Sequence, residues 1–335
     1  MNAPTISKVS TLKWLLKREY WENRGGFLWA PVIAGGISLL LTALAIGAGL
    51  LAANRAAVKG ELHVNGVNVN GLDLELLTRQ MTPESMAQLA HSLDMTLLVS
   101  SAWPFIVLAF VVFFYCLGAL YDDRRDRSVL FWKSLPISDT QTVLSKALSA
   151  LVIAPAIALA AALLTSLGFL LMISAVVLAY GGNPFTLIWG QAHLGALLGA
   201  HLSWLVLYAF WALPTVGWLL FCSAWARSKP FLWAVLLPVF AGVVVSWFNY
   251  MNLISVSDAG FWSKIVGRGL LSAVPHLDLA FRYDAESPWF NSFYSAFSAG
   301  SQWAAFTTPA LWIGAAVGIA LLAGAVVLRR YRNEL

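Results

Sequence analysis

The sequence predicts an all-α integral membrane protein with six transmembrane helices, and composition and charge spacing support this fold class. Hydrophobic residues make up 59% of the chain and charged residues 11%, and the mean hydropathy of +0.74 is far above that of soluble domains. Five uncharged intervals each exceed the roughly 20 apolar residues that cross a bilayer. The third interval, about 80 residues long, contains the turn signal GGNP at 181–184 and is divided into two helices. The predicted spans are about 27–53, 97–121, 147–180, 196–226, 230–255 and 306–328.

An amphipathic helix at 5–24 is predicted before the first span. Val9, Leu12, Leu16 and Tyr20 recur at helical spacing, while lysines lie on another side of the same helix. Tryptophans occur within this pattern, and Trp is enriched at membrane interfaces. We therefore expect the helix to lie along the inner leaflet of the membrane. A solvated basic leader is the alternative.

Lys and Arg are distributed unequally between the two sides of the predicted membrane. With the N-terminus inside, the inner segments hold fifteen basic residues and the outer segments hold six. Because basic residues are retained on the cytoplasmic side, both termini are predicted to be cytoplasmic. The formal net charge of +5 is then a topology signal. No basic stripe stands apart from the membrane ends, so a nucleic-acid partner is not expected.

Two long segments, 54–96 and 256–305, are predicted to lie outside the cytoplasm. In the first, apolar and polar residues alternate around Asn65-Gly66, which indicates a β-hairpin, and Thr82 before Pro83 indicates a helix start. In the second, the stretches FWSKIVGRGLLSAV and SPWFNSFYSAF predict short helices against the outer membrane face, between the fifth and sixth spans. Neither segment predicts a soluble domain, so residues 1–335 are expected to form a single transmembrane domain.

The fourth predicted span carries one aromatic face. Trp204, Trp211, Trp218 and Trp225 recur every seven residues and share that face for about 31 Å. Trp204 and Trp225 fit the aromatic belts of the two interfaces. Trp211 and Trp218 lie deeper, where an indole N–H needs a partner. These two residues either pack against other helices or line a substrate route, and both interpretations stay open.

The sequence offers little support for catalysis. The patterns GxxxxGK[ST], HExxH, GxSxG and CxxC are absent, so the chain is not expected to bind ATP by a P-loop or to hold a cofactor or metal in those ways. His193 and His201 could form an acid–base or metal pair near the outer start of the fourth span. A packing role is favoured because their uncharged run contains no Asp or Glu. Cys116 and Cys222 fall within predicted spans and predict neither a disulfide nor a metal site.

The segment 122–146 is the one substantial cytoplasmic loop. A charged cluster is followed by a short apolar helix, which Pro136 ends, and Ser138 with Gln141 then forms a capping-box pattern. A loop this short cannot bury Phe131 and Trp132 in a core of its own, so these side chains need either the membrane surface or another protein, and the charges beside them favour docking on a protein. In the predicted docking surface, Phe131 and Trp132 are the buried anchors, and Pro136 fixes the bend to the next helix. The polar rim is formed by Asp122, Asp123, Arg124, Arg125, Asp126 and Arg127, and Lys133 completes the set of docking residues.

The order of features in this loop resembles a known family. Leu135-Pro136-Ile137-Ser138, followed by Lys146 at the mouth of the next span, is similar to the loop between the second and third helices of ABC-2-type exporter permeases. The similarity extends to the interfacial helix, the six spans and the outer segment of short helices. In that family the loop carries a coupling helix that fits a cleft on the ATPase subunit and passes its movement to the membrane helices.

The resemblance implies a permease domain that works with separate partners. Two such chains, identical or related, would assemble with two ABC ATPase subunits, which bind ATP and Mg²⁺ in place of this chain. The location implied is the bacterial inner membrane, and an amphipathic small molecule, peptide or lipid is the expected substrate. An ion-coupled secondary transporter or a polytopic membrane enzyme are the alternatives. The first usually needs acids at membrane depth, and the second needs a reactive cluster at one membrane face.

Overall fold

The structure is a computed structural model, and it is predominantly helical. It describes residues 8–58, 63–64, 67–68, 81–127, 134, 137–251, 253, 258–275 and 297–331. Six helices in the described part are long and apolar enough to cross a membrane, which confirms the predicted number of spans. These six are Gly25–Ala56, Pro83–Arg125, Asp139–Ala179, Leu194–Trp211, Pro230–Tyr250 and Pro309–Tyr331.

The individual elements are numbered in chain order. The helices are α1 (Lys8–Glu22), α2 (Ala30–Val58), α3 (Pro83–Ala119), α4 (Tyr121–Arg125), α5 (Asp139–Leu148), α6 (Ala154–Ala179), α7 (Leu194–Trp211), α8 (Leu213–Trp225), α9 (Pro230–Tyr250), α10 (Asp258–Phe261), α11 (Arg268–Leu271), α12 (Ala299–Ala304) and α13 (Pro309–Tyr331). π-Helical turns lie at Gly25–Trp29, Ser149–Ile153, Phe185–Trp189 and Trp262–Gly267, and a 3-10 turn lies at Ala305–Thr307. The strands are β1 (His63–Val64) and β2 (Val67–Asn68).

Several local predictions are confirmed. Strands β1 and β2 pair antiparallel on either side of residues 65–66, with Val64 opposite Val67. Helix α3 begins at Pro83, and the Thr82 hydroxyl accepts a hydrogen bond from the Ser85 N–H at 3.3 Å. Ser138 and Gln141 form the predicted capping box at the start of α5. Each of these features depends on residues that are close in the chain.

Helices are confirmed in two predicted segments outside the spans, one before the first span and one between the fifth and sixth spans. Helix α1 covers most of the predicted interfacial helix, and its buried side runs through Leu15 and Glu19, while Trp14 and Trp21 are exposed. Its contact with a membrane stays a prediction. Short helices α10 and α11 occur between the fifth and sixth spans, as expected. Most of the stretch SPWFNSFYSAF lies outside the described residues.

The fourth predicted span is divided into α7 and α8. The division falls at Ala212, two residues before Pro214, whose ring nitrogen cannot donate a helical hydrogen bond. The Ala212 N–H still bonds the Tyr208 carbonyl, and the Val216 N–H bonds the Ala212 carbonyl, each at 2.9 Å. The chain therefore continues in a helical direction, but Trp204 and Trp211 lie on α7 and Trp218 on α8.

Backbone contacts divide the chain into two compact units. The first unit comprises residues 1–29, 106–158 and 199–335. Within it, α8 and α13 cross so closely that a β-carbon added to Gly217 would lie 2.5 Å from the Gly318 carbonyl oxygen. Small residues permit such backbone approach between membrane helices. The first unit also holds a core in which Leu207 and Trp211 of α7 pack with Leu311 of α13.

The second unit comprises residues 30–105 and 159–198. Its core contains Leu97 of α3, Phe169 of α6 and Ile188 of the π-helical turn after α6. The buried Ser38 hydroxyl donates to the Ser100 carbonyl at 2.9 Å, which ties α2 to α3.

Candidate functional site

The first unit contains a chain of ion pairs that joins four helices. Lys146 Nζ lies 3.3 Å from Glu19 Oε1 and 3.5 Å from Asp123 Oδ2. Arg329 Nη1 lies 3.2 Å from the same Asp123 oxygen, and Arg329 Nε lies 3.1 Å from Asp139 Oδ1. We call these five residues the charged cluster. It connects α1, α4, α5 and α13 through alternating acids and bases.

Three of the five members of the charged cluster are buried, and the side chains of the other two, Asp123 and Asp139, are 15 and 21% exposed. The exposed side-chain fraction is 1% for Glu19, 4% for Lys146 and 5% for Arg329. Ions taken out of water are stable only when their partners compensate for the lost hydration, so each member depends on its neighbours. Glu19 has a further partner, because the Tyr115 hydroxyl donates to Glu19 Oε2 at 2.8 Å. The cluster therefore fixes the geometry at which the four helices meet.

Arg124 forms a second anchor. Its side chain is buried, and Nη2 donates to the Ser223 carbonyl at 2.6 Å and to the Ala226 carbonyl at 2.9 Å. These carbonyls end α8, where helical carbonyl groups lack partners and the helix dipole favours a cation. The Ser223 hydroxyl in turn accepts hydrogen bonds from the Leu120 and Tyr121 N–H groups at 3.0 and 2.9 Å. Helix α4 is thus held directly against the end of α8.

Only some of the residues predicted to form the polar rim of the docking surface are exposed. Arg124 and Asp123 lie inside, in the contacts described above, instead of on an exposed rim. Side chains of Asp122, Arg125 and Asp126 are 56, 63 and 65% exposed, as a rim requires. Arg127 is exposed as well.

The outward residues form only weak pairs with one another. Arg125 lies 4.0 Å from Asp122 and 3.6 Å from Asp126, and exposed pairs of this kind contribute about 0–1 kcal/mol. Their charges are therefore available to a partner. The predicted anchors Phe131 and Trp132, together with Lys133 and Pro136, lie outside the described residues and stay predictions.

Trp211 and Trp218 are both in contact with other parts of the chain. Trp211 is only 4% exposed and lies under the Arg268 guanidinium, whose central carbon is 4.2 Å from the indole ring centre. Trp218 is partly buried, and its indole N–H donates to the Ala234 carbonyl of α9 at 2.9 Å. These contacts give both residues a packing role within the first unit. A part in a substrate route stays a prediction.

The second unit holds an acid–histidine contact that sequence reasoning missed. The Asp94 carboxylate accepts the His193 backbone N–H at 3.0 Å, and its other oxygen lies 2.8 Å from His193 Nδ1. The uncharged run that contains His193 has no Asp or Glu, and Asp94 lies outside it, 99 positions earlier in the chain. The position of Asp94 directly before the second predicted span was the one sequence feature that could have indicated this contact. His201 is buried in the first unit against Phe297, with ring centres 5.0 Å apart.

Comparison of the chain with protein-family models, with curated proteins and with solved structures gave no match. The segment 122–146 is held by contacts at both of its ends. At one end are Asp123 and Arg124 of α4, and at the other are Asp139 and Lys146 of α5. All four are held by buried or partly buried polar contacts to other helices. These contacts join the two ends of the segment to α1, α8 and α13.

Proposed function

We propose that the chain is the permease subunit of an ATP-driven ABC exporter in the bacterial inner membrane. Segment 122–146 docks on a separate ATPase subunit, and two permease chains, identical or related, form the membrane path. The substrate is an amphipathic small molecule, a peptide or a lipid. The observation that carries the proposal is that both ends of the segment are anchored to other helices by buried ions.

A docking segment must pass its displacement to the membrane helices. A loop with solvated ends absorbs a displacement, because exposed contacts break at little cost. Here Arg124 holds the first end to α8, while Lys146 and Asp139 hold the second end to α1 and α13. Buried pairs resist separation, since a separated ion stays buried without its partner. The segment therefore moves together with α1, α8 and α13.

The division of labour supports the same proposal. The sequence contains no P-loop, so the energy of ATP must come from a partner that binds the nucleotide and Mg²⁺. The exposed charges of Asp122, Arg125, Asp126 and Arg127 form the outer part of the docking surface. Such rim charges set partner choice and register more than affinity. Phe131 and Trp132 supply the buried anchors that carry most of the energy in an interface of this kind.

The experiment is co-purification of the tagged chain with its ATPase. Trp132→Ala is expected to cost about 2 kcal/mol of docking energy, roughly a 30-fold loss of affinity. The double variant Phe131→Ala/Trp132→Ala should insert normally but retain little ATPase and show little transport. The matched control is Arg125→Ala, an exposed rim residue, which should change affinity much less. Normal ATPase association and transport in the double variant would contradict the proposal.

The orientation is tested separately by cysteine labelling in intact cells. Asn68→Cys and Ser263→Cys lie in the proposed outer segments and should react with an impermeant maleimide. Ser134→Cys lies in the docking segment, is exposed, and should react only after the cells are opened. The native Cys116 and Cys222 are buried and give little background. Labelling of Ser134→Cys from outside would reverse the topology and place the docking segment beyond reach of an ATPase.

An ion-coupled secondary transporter is the second candidate, and Asp94 is the observation that favours it. Its carboxylate is 4% exposed and lies in an apolar helix, as a proton site requires. However, both carboxylate oxygens already accept from His193, directly before α7, which is the geometry of a helix anchor. Transport that persists without ATP, follows a proton gradient and is lost in Asp94→Asn would favour this candidate over the exporter.

A further inference from the structure

An open cleft of about 620 Å³ lies in the first unit, beside the charged cluster. Its volume is within the 300–1,000 Å³ that is typical of small-molecule sites. The walls come from the end of α1, the π-helical turn that follows it, the last turns of α3, and α4. The lining includes an aromatic wall and exposed carboxylates, which we call the lip. Acids alone would form only a solvated surface, so the ligand-sized cavity and its aromatic wall are the features that mark a site.

The aromatic wall consists of side chains that the chain itself leaves uncovered. Phe110 and Phe114 of α3 line the cleft and are 61 and 59% exposed. Phe27, which is fully buried, forms the deeper part of the wall. Gly26, between α1 and α2, and Val111 of α3 also line the cleft. They pack closely, since a β-carbon added to Gly26 would lie 3.3 Å from the Val111 side chain. The wall thus offers an apolar surface of limited size, suited to part of one molecule.

The polar wall carries an excess of negative charge. Four carboxylates and one ammonium line the cleft, and Lys146 is already engaged by Glu19 and Asp123. The carboxylates at the lip belong to Glu22 and Asp122, whose side chains are 53 and 56% exposed.

The basic residues near the lip neutralise the carboxylates of Glu22 and Asp122 only in part. Arg18 Nε lies 3.4 Å from Glu22, but the same guanidinium also contacts Glu19. Arg125 reaches Asp122 only at 4.0 Å, in an exposed pair. Neither base lines the cleft. A cation that enters the cleft would therefore meet two carboxylates with loosely held partners.

We propose that this cleft binds a cationic amphiphile, a molecule in which an ammonium or similar cation is attached to an apolar body. The apolar body lies against Phe110 and Phe114, and the cation lies next to Glu22 and Asp122. The faces of the same aromatic rings also attract cations when water is excluded. That this ligand is a transported substrate depends on the proposed exporter function; the binding itself does not.

Glu22 makes the binding dependent on pH. Partial burial raises the pKa of its carboxyl group above the ordinary value; the Glu19 and Asp123 carboxylates act in the same direction, and Arg18 and Lys146 act against it. A carboxyl group must be ionised to attract a cation. Affinity for the cation should therefore fall as the pH is lowered through this raised pKa, at a higher pH than for an ordinary glutamate.

The test measures binding by the purified full chain in neutral dodecyl maltoside, without an ATPase. Tetraphenylphosphonium and tetraphenylborate have the same shape and opposite charge, so their comparison isolates the electrostatic part of binding. The phosphonium should bind saturably, and the borate at least about 10-fold more weakly. Glu22→Gln/Asp122→Asn should lower phosphonium affinity about 10-fold and remove the preference. The control Glu84→Gln/Asp126→Asn removes the same number of negative charges outside the cleft. It should retain both the affinity for the phosphonium and the preference over the borate.

One further measurement tests the aromatic wall, and another identifies the source of the ligand. Phe110→Ala/Phe114→Ala changes exposed side chains and should weaken phosphonium binding without loss of folded protein. Competition by lysophosphatidylethanolamine assigns the natural ligand to membrane lipid, whereas competition by dodecyltrimethylammonium alone assigns it to a free amphiphile. Equal binding of the two probes, or equal affinity in the cleft variant and its control, would overturn the proposal. Binding in a chain that captures no ATPase would leave this site intact and reject the exporter function.

Discussion

Replacement of Lys146 by Met tests whether the charged cluster holds the helices together. Met has an unbranched stem of the same length as the four-carbon stem of Lys, so the main change is loss of the ammonium group between Glu19 and Asp123. Removal of one partner from a buried ion pair costs about 3–5 kcal/mol. Asp123 keeps Arg329, and Glu19 keeps Arg18 and Tyr115, so we expect the lower end of this range, about 3 kcal/mol.

The assay is unfolding of the purified chain, followed through its two free cysteines. Cys116 and Cys222 are both buried and should react with a fluorogenic maleimide only when the first unit opens. An SDS titration then compares Lys146→Met with Arg125→Met, whose side chain is 63% exposed and whose loss should cost at most about 1 kcal/mol.

A second substitution distinguishes an orphaned charge from a packing defect. Adding Glu19→Gln to Lys146→Met removes a carboxylate that has lost one of its two bases, Arg18 being the other, so the double variant should be more stable than the sum of the two single effects predicts. Strict additivity would mean that the two groups do not interact. Equal stability of Lys146→Met and Arg125→Met would refute the argument that burial makes this cluster strong.

Five other substitutions, two pairs and a single variant, are tested in the same assay. Gly318→Ala should cost about 1–3 kcal/mol, because its β-carbon would lie 2.5 Å from a backbone carbonyl of α8, whereas Gly199→Ala, on α7 in the same unit, meets open space and should be neutral or stabilising. Trp211→Ala should cost about 3–5 kcal/mol and Trp218→Ala less, since only the first is fully buried; normal stability with altered transport in either would instead support a substrate route. Ser138→Ala should cost about 1 kcal/mol through loss of the capping box, and an unchanged titration midpoint would contradict that role.

The sequence by itself determined the features that depend on local order. Long apolar runs predicted six spans, because crossing a bilayer requires about 20 apolar residues in one helix. Asn65-Gly66 predicted the hairpin and Thr82 and Ser138 predicted helix starts, because turns and caps are formed by residues within three positions of one another. Charge composition also indicated that the loop after the second span is unusual. It did not indicate which of its charges face inward.

Only the tertiary structure decided the partners of those charges. Asp123 and Arg124 are neighbours in a charged run and looked alike as rim residues, yet both are held in the interior. Their partners Arg329 and Ser223 lie 206 and 99 positions away. The contact of Asp94 with a histidine 99 positions away was missed for the same reason. Whether a charge is solvated or buried depends on which helix end packs beside it, and periodicity and composition contain no information about a neighbour so distant in the chain.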